Sequence, residues 1–209
     1  LLAGADEIIM AAERRPTRAG NATQLAYGDG AAAVRTGVGP GARLAGHACI
    51  THDLVDRYSS VGHPTSYVYE ERFIRDIAVA EIMLPAVQAA CASAGIEPSA
   101  IAHVAVAEPV SGCWSSIARK TGIGAVNHCE VLAQSAGDLG AAHALFGLGL
   151  ALASASIGDF VLLLGFGSGA DAMVLEMTGP VAGADAFPAM VAEGQSLANA
   201  TRFLSLAGP

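Results

Sequence analysis

Residues 160–174 read FVLLLGFGSGADAMV, which is an apolar run, a Gly-X-Gly turn, and a second run of small and apolar residues. The run from Phe160 to Leu164 is typical of a strand buried on both faces, and the glycines after it favour a tight turn. The second run continues to Met177 with no helical period and predicts another strand. A dinucleotide-binding loop requires a helix to begin directly after its glycines, so this context argues against one.

A second part of the chain repeats this pattern. Leu1 to Met10 form an apolar run, LLAGADEIIM, and Tyr27 to Val34 read YGDGAAAV, again a Gly-X-Gly turn before small residues. Near-repeats of this kind indicate a fold built from two similar halves. We predict that residues 1–40 close one half, that 41–178 form the next half, and that 179–209 are a C-terminal extension.

The stretch between the two copies alternates strand-like and helix-like segments. Residues 73–94 predict a long amphipathic helix, which Gly95 should end and Pro85 should kink. Residues 137–156 predict a helix buried on all sides. The remaining predictions are strands at 42–50 and 101–106 and helices at 115–121 and near 197–206. Strands that alternate with helices in this order predict an α/β fold.

The composition restricts the class of protein and its partners. Of the 209 residues, 53% are hydrophobic and 14% are charged, and the formal net charge is −8. A chain of this kind forms a buried core, and its acidity makes nucleic acid an unsuitable partner. The cysteines Cys49, Cys91, Cys113 and Cys129 lack Cys-X-X-Cys spacing, so we expect no disulfide framework, no zinc site, and a cytoplasmic location.

One segment has the length of a membrane span. Residues 139–158 carry no formal charge, but they are rich in alanine, glycine and serine, and Asp138 and Asp159 flank them in place of basic or aromatic anchors. We therefore expect a buried helix and no membrane. The chain opens on Leu1 without a basic region before its apolar run, so we expect no signal peptide and a sequence that begins within a strand.

Four glycine motifs occur in a characteristic order. They are YGDGAAAV at 27–34, GDLGAA at 137–142, GD at 158–159 and GFGSG at 165–169. As a set, over roughly residues 1–178, they resemble the ketoacyl synthase III and hydroxymethylglutaryl-CoA synthase family. In detail the chain is similar to synthase-like proteins that work beside a small zinc-ribbon and OB-fold acyl-CoA-binding module, and its ending at 200–208 looks like the segment that closes the synthase core in those proteins.

The resemblance implies a layered αβαβα thiolase fold, of which this chain would be the C-terminal half plus the last strands of the N-terminal half. It also implies a homodimer, a partner N-terminal half that carries a nucleophilic cysteine, and a thioester of coenzyme A or a carrier protein as substrate. No further cofactor and no metal are implied. Catalysis in this family needs a reactive thiolate and neutral donors that stabilise an oxyanion in a dry tunnel.

The sequence departs from the family at two positions. The resemblance places Ala107, followed by Glu108 and Pro109, where the family has a histidine, and it places Gly137 and Asp138 where Gly-Asn is usual. Alanine donates no hydrogen bond, and an ionised aspartate repels an oxyanion.

Three interpretations remain open. In the first, Glu108 or Asp138, with a pKa raised by burial, performs acid-base catalysis, with a histidine supplied by His128 or His143. In the second, the protein is a non-catalytic subunit that binds acyl-CoA or serves as a scaffold. In the third, the correspondence is shifted by a residue or two, and His128 is the functional imidazole.

The resemblance also implies where substrate is bound. We expect contacts from Cys113, which follows the Glu-Pro strand end, from Gly137, and from Gly167, Ser168 and Gly169 in the last glycine motif. The simpler interpretation of Cys113 is a small buried apolar side chain, and the alternative is a second nucleophile. The predicted activity is acyl transfer that forms or cleaves a carbon-carbon bond in a thioester.

Overall fold

The computed structural model of the protein describes residues 6–18, 20–21, 23–68 and 70–207. The first half of the predicted run at 1–10 therefore lies outside the described residues, as does Gly208. The strands are β1 (Glu7–Glu13), β2 (Gly30–Thr36), β3 (Ala42–Thr51), β4 (Tyr58–Ser60), β5 (His63–Tyr67), β6 (Ile101–Val106), β7 (Phe160–Phe166) and β8 (Gly169–Met177). The α-helices are α1 (Thr23–Ala26), α2 (Glu71–Ile77), α3 (Leu84–Ala94), α4 (Cys113–Thr121), α5 (His128–Ala136), α6 (His143–Ser154), α7 (Ala186–Ala192) and α8 (Ala200–Ala207).

A four-stranded sheet with the order β3-β8-β7-β6 forms the centre of the fold. β6 and β7 are parallel, whereas β8 runs antiparallel to both β7 and β3. The predicted strands are confirmed, and the glycine motif between β7 and β8 is a hairpin turn. Ser168 (φ 49°) and Gly169 (φ 126°) adopt the left-handed backbone conformations that this turn requires. β1 and β2 form a second antiparallel hairpin, as the near-repeat predicts.

One face of the central sheet is covered by a continuous helix that runs from Glu71 to Ala94. Gly95 ends it in the left-handed conformation (φ 70°), as predicted. The helix widens into a π-helical segment, Ala78–Met83, two residues before Pro85, and the kink at Pro85 stays a prediction. Proline has no N–H to donate to the carbonyl four residues earlier, and the wider turn accommodates that loss.

This helix is also long and apolar enough to cross a membrane, with a mean hydropathy of 1.6 over its most apolar window. Its apolar side, however, packs on the sheet, where Ile82, Met83, Ala86 and Val87 are fully buried. It is therefore the core helix of this layer. Residues 139–158, the span considered from the sequence, form a shorter helix.

The second face of the sheet is covered by α5 and α6. α6 contacts β6 and β7 on one side and the hairpin strand β2 on the other, and no residue from Ala142 to Leu152 is exposed. The prediction of a helix packed on opposite sides is thus confirmed for 142–152, although Ala153 and Ser154 at the end of α6 are exposed. The layers in order are the long helix, the central sheet, α5 with α6, and the β1–β2 hairpin.

Several boundaries differ from the sequence predictions. The helix predicted at 137–156 begins only at His143, after a 3₁₀ turn at Gly140–Ala142, because Gly137 and Asp138 are held in contact with another segment. α4 begins two residues earlier than predicted, at Cys113. α7 was not predicted. It packs on α6, with the ring of Phe187 lying 5.0 Å from that of Phe146.

Candidate functional site

The motifs at 27–34 and 137–142 meet in the structure. Tyr27 and Asp138 form an isolated parallel β-bridge. The Asp138 amide donates to the Ala26 carbonyl at 2.8 Å, and the Gly28 amide donates to the Asp138 carbonyl at 3.0 Å. The bridge therefore joins the segment before β2 to the segment before α6. We refer to the four residues Ala26, Tyr27, Gly28 and Asp138 as the clasp.

Two glycines allow the clasp to form. A side chain on Gly28 would overlap the carbonyl oxygen of Ala136. A Cβ on Gly137 would lie 2.9 Å from the Ala26 carbonyl oxygen, and the φ of Gly137 is 78°. Because both obstacles are backbone atoms, neither can move aside. The sequence motifs thus reflect a close approach of two backbone segments.

Asp138 is a paired carboxylate at this point. Its Oδ2 accepts from Nη1 of Arg15 at 3.0 Å, its Oδ1 accepts from the Gly140 amide at 2.9 Å, and Nη2 of Arg57 lies 3.7 Å from Oδ2. Burial raises the pKa of Asp138, but the hydrogen bonds from Arg15 and Gly140 and the charge of Arg15 outweigh burial, so the pKa lies below its ordinary value. The expectation of a raised pKa at Asp138 is therefore wrong.

Arg15 is itself largely buried. Its guanidinium carbon lies 3.6 Å from the centroid of the Tyr27 ring, a cation-π contact, and the guanidinium also donates to the main-chain oxygen of Asp138. Within the described part of the chain, its buried Nε atom has no hydrogen-bond partner. Nearby, Glu13 accepts from the Ala141 amide at 2.6 Å. These contacts tie β1 and the loop after it to the start of α6.

Glu108 lies beyond the C-terminal end of β6, close to the start of α4. Its Oε2 accepts from the Trp114 amide at 2.8 Å, and burial raises its pKa above the ordinary value despite this hydrogen bond, with a further rise from the charge of Glu130. A carboxyl with a raised pKa suits acid-base chemistry near neutral pH. Ala107 continues the strand by donating its amide to the Leu164 carbonyl at 3.2 Å.

Cys113 is the first residue of α4 and is fully buried. Burial, together with the nearby charge of Glu108, raises the pKa of its thiol to about 11. The thiol is therefore protonated at neutral pH, where a nucleophilic cysteine needs a thiolate. This agrees with the simpler interpretation that Cys113 is a small buried apolar side chain.

The side chain of His128 contacts that of His103. Its Nε2 is 3.4 Å from Nδ1 of His103, a residue near the start of β6, and Nε2 of His103 lies 3.4 Å from the carboxylate of Asp159. These groups lie toward the N-terminal ends of β6 and β7, whereas Glu108 follows the C-terminal end of β6. Burial and the neighbouring His103 lower the pKa of His128.

His143 lies next to Asp138, but both of its ring nitrogens are engaged with the backbone. Nδ1 accepts from the Leu139 amide at 3.1 Å, and Nε2 donates to the Cys129 carbonyl at 3.0 Å. Burial lowers its pKa, although the charge of Asp138 and the bond to Cys129 act in the opposite direction. His143 is therefore a neutral residue that links α5 to the start of α6.

The hairpin turn with Gly167, Ser168 and Gly169 lies beside the end of β3, where the Ser168 carbonyl accepts from the His52 amide at 3.1 Å. A groove of about 610 Å³ begins in the same loop. Its lining is mainly apolar but includes three exposed carboxylates, and it consists of His52, Asp53, Leu54, Val55, Tyr58, Glu70, Phe73, Ile74, Ile77 and Glu81.

The structure brings Glu108, Gly137 and Asp138 into one region, joined by Arg57, whose Nη2 lies 3.2 Å from the carbonyl oxygen of Pro109. Arg15 and Arg57 were not found from the sequence. Both lie in loops without periodicity, so the only available signal was their charge. No group of three or more His, Cys, Asp or Glu side chains among the described residues is placed to hold a metal ion.

The order of layers and the topology of the sheets define the class of fold: the chain has the thiolase-like fold of ketoacyl synthase III and hydroxymethylglutaryl-CoA synthase. No protein-family model and no curated protein matches the sequence. The similarity is to solved structures with low sequence identity, and it concerns the fold alone.

Three solved structures illustrate it. One is 3-oxoacyl-[acyl-carrier-protein] synthase III from Aquifex aeolicus VF5, at 18% identity and a TM-score of 0.57 over 72% of this chain and 50% of that one. A second is HMG-CoA synthase complexed with CoA, at 15% identity and a TM-score of 0.59, covering 95% of this chain and 53% of that one. A third is MvaS in complex with 3-hydroxy-3-methylglutaryl coenzyme A, at 16% identity and a TM-score of 0.57, covering 91% of this chain and 55% of that one. The chain spans about half the length of these structures.

Proposed function

We propose that the protein is an acyltransferase that forms or cleaves a carbon-carbon bond in a thioester of coenzyme A or an acyl-carrier protein. The observation that carries this proposal is Glu108, a partly buried carboxyl with a raised pKa at the strand end of a fold whose solved neighbours are acyl-transfer enzymes. The nucleophilic cysteine belongs to the half of the fold that this chain does not contain.

In this proposal Glu108 moves the proton. Its protonated form donates to a thiolate or enolate that develops as the thioester reacts, and its ionised form removes a proton next to the thioester carbonyl. Asp138 does not share this role, because Arg15 holds it ionised. Asp138 instead maintains the clasp, and Gly137 allows the close approach.

The groove near Tyr58 supports an acyl substrate. A groove of about 610 Å³ with a mainly apolar lining suits an acyl chain, and the exposed carboxylates of Asp53, Glu70 and Glu81 in that lining would repel the phosphates of coenzyme A. We therefore assign the groove to the acyl part of the thioester. The turn at Gly167, Ser168 and Gly169 adjoins the same loop through His52.

A second candidate is a non-catalytic subunit that binds acyl-CoA or serves as a scaffold. Two observations favour it: Ala107 offers no imidazole, and the thiol of Cys113, which is near Glu108, has a pKa of about 11. For either function we propose a cytoplasmic homodimer completed by an N-terminal thiolase half, with an OB-fold and zinc-ribbon module as a possible acyl-CoA-binding partner.

Release of free coenzyme A separates the two candidates. The full-length protein is incubated with acyl-CoAs of increasing chain length, and the thiol released is followed with time. Acyl transfer predicts turnover that falls by about tenfold or more in Glu108→Gln, the usual size of a general acid-base contribution. Glu193→Gln, an exposed glutamate in the C-terminal extension, is the matched control. Binding of acyl-CoA without release in any variant identifies the non-catalytic subunit.

A further inference from the structure

Arg57 lies in the loop between β3 and β4 and contacts three separate segments. Nη1 donates to the Tyr27 hydroxyl, Nη2 donates to the Pro109 carbonyl oxygen at 3.2 Å, and Nη2 also lies 3.7 Å from Oδ2 of Asp138. Its side chain is 27% exposed, so these contacts form in a partly dry environment.

These partners border two parts of the candidate site. Tyr27 and Asp138 form the bridge of the clasp, and Pro109 directly follows Glu108. Proline has no N–H, so the backbone at this position cannot be held by a hydrogen bond that it donates. The Pro109 carbonyl is the group through which Arg57 holds the chain next to Glu108.

The guanidinium group suits this arrangement. It presents five N–H donors in a rigid plane, so it can bind a phenol, a carbonyl and a carboxylate in three directions at once. A lysine ammonium at the end of a flexible chain cannot hold the same three groups in a fixed relation. Tyr58, the next residue, lines the apolar groove. The same loop therefore forms the groove wall and supports the carboxyl.

We propose that Arg57 is a positioning residue of the acyl-transfer site, which fixes Glu108 relative to the clasp without contacting the reacting atoms. This inference rests on the proposed function for its catalytic consequence. Its structural part stands alone: Arg57 holds the chain at Pro109, next to Glu108, while Arg75 donates to the Ser111 carbonyl at 2.8 Å further along the same segment. The hydrogen bond from the Trp114 amide to Glu108 reports the position of Glu108.

Hydrogen-deuterium exchange of the full-length protein tests the structural part. Arg57→Gln and Arg57→Lys should speed exchange at Trp114 by about tenfold or more, since its N–H loses a fixed acceptor. Arg43→Gln is the matched control, because Arg43 pairs with Glu176 on the surface of the central sheet. Exchange at Trp114 that is unchanged in both Arg57 variants, or restored to the wild-type rate by lysine, overturns the inference. Thermal unfolding of each variant shows that the fold is retained.

Turnover of an acyl-CoA tests the catalytic part. Both Arg57 variants should lower kcat by about tenfold to a hundredfold with little change in KM, as expected when a reacting group is displaced by a fraction of an ångström. A change confined to KM would assign Arg57 to substrate binding and overturn the positioning role. If the wild-type protein shows no turnover while exchange at Trp114 responds as predicted, the proposed function fails and the structural role of Arg57 stands.

Discussion

Nη1 of Arg15 lies 3.0 Å from Oδ2 of Asp138, which joins two residues that are 123 positions apart in the sequence. The pair connects the loop after β1 to the turn before α6. It also decides the chemistry of Asp138, because a carboxylate that accepts from a buried guanidinium remains ionised well below neutral pH. Of the two candidate carboxyls, Glu108 is therefore the one suited to exchange a proton.

Replacement of Asp138 tests this pair. Asp138→Asn should lower the free energy of unfolding at neutral pH by about 1–3 kcal/mol, because it removes a charge-assisted hydrogen bond in a partly buried position. The folded-state pKa lies below the ordinary value of 3.8, so the contribution is complete above that value and is lost as the pH falls through the lower folded-state pKa. Chemical denaturation at a series of pH values measures the difference.

Asp6→Asn is the control for this experiment. Asp6 pairs with Arg35 through two hydrogen bonds, but the pair is exposed and screened by water, so its loss should change stability far less. Equal effects of the two substitutions, or an Asp138→Asn difference that stays constant into strong acid, would contradict the account of Asp138.

From the clasp we expect glycine-to-alanine substitutions to differ strongly in their effect on stability. Gly28→Ala and Gly137→Ala should each destabilise the protein by about 2–4 kcal/mol, because the new methyl groups meet backbone oxygens that cannot move aside. Gly124→Ala should change stability by about 0.5 kcal/mol or less, since its Cβ would enter open space. Thermal and denaturant unfolding of the three variants measure this, and a tolerated Gly137→Ala would show that the two backbone segments are not in close contact.

His143 predicts a sensitivity to mild acid. Its folded-state pKa is below the ordinary value of 6.5, so the folded protein binds fewer protons than the unfolded chain, and stability falls as the pH drops below that value. His143→Gln retains a donor and an acceptor for Cys129 and Leu139 but does not titrate. The variant should therefore lose less stability than the wild type between neutral pH and about pH 5. His63→Gln, at an exposed histidine, is the matched control.

For Glu108 we expect the opposite dependence of stability on pH. Its folded-state pKa lies above the ordinary value of 4.5, so the folded state holds a proton that the unfolded chain releases, and stability falls as the pH rises between these two values. Glu108→Gln keeps an oxygen acceptor for the Trp114 amide and does not ionise. The variant should equal or exceed the wild type in stability at neutral pH. A large loss of stability in Glu108→Gln would show that the ionised carboxylate is stabilising.

The sequence was sufficient where structure is set by neighbouring residues. The buried strands at 160–166 and 169–177 follow from their apolar runs, and the end of the long helix follows from Gly95, because each depends on local backbone preferences. The late start of α6 could not be foreseen, because Gly137 and Asp138 are removed from the helix by a bridge to Tyr27.

The candidate site was predicted only in part, for the same physical reason. A raised pKa is predicted for Glu108, and burial is the largest cause of that shift, with a further rise from the charge of Glu130. The same reasoning was wrong for Asp138, because the decisive cation, Arg15, comes from a loop far away in the sequence. Arg57 was missed because its partners, Tyr27 and Pro109, come together only in the folded chain.

Intact-mass spectrometry of the full-length protein tests the central claim most directly. After incubation with acetyl-CoA and with longer acyl-CoAs, the account predicts an adduct of one acyl group, which disappears when the reactive cysteine of the N-terminal half is replaced by alanine. In Glu108→Gln the adduct should still form but should persist longer in the presence of the acceptor, because the later proton transfer is slowed. The absence of an adduct with every donor, together with measurable acyl-CoA binding, would contradict the acyltransferase account and leave a thiolase-fold binding subunit.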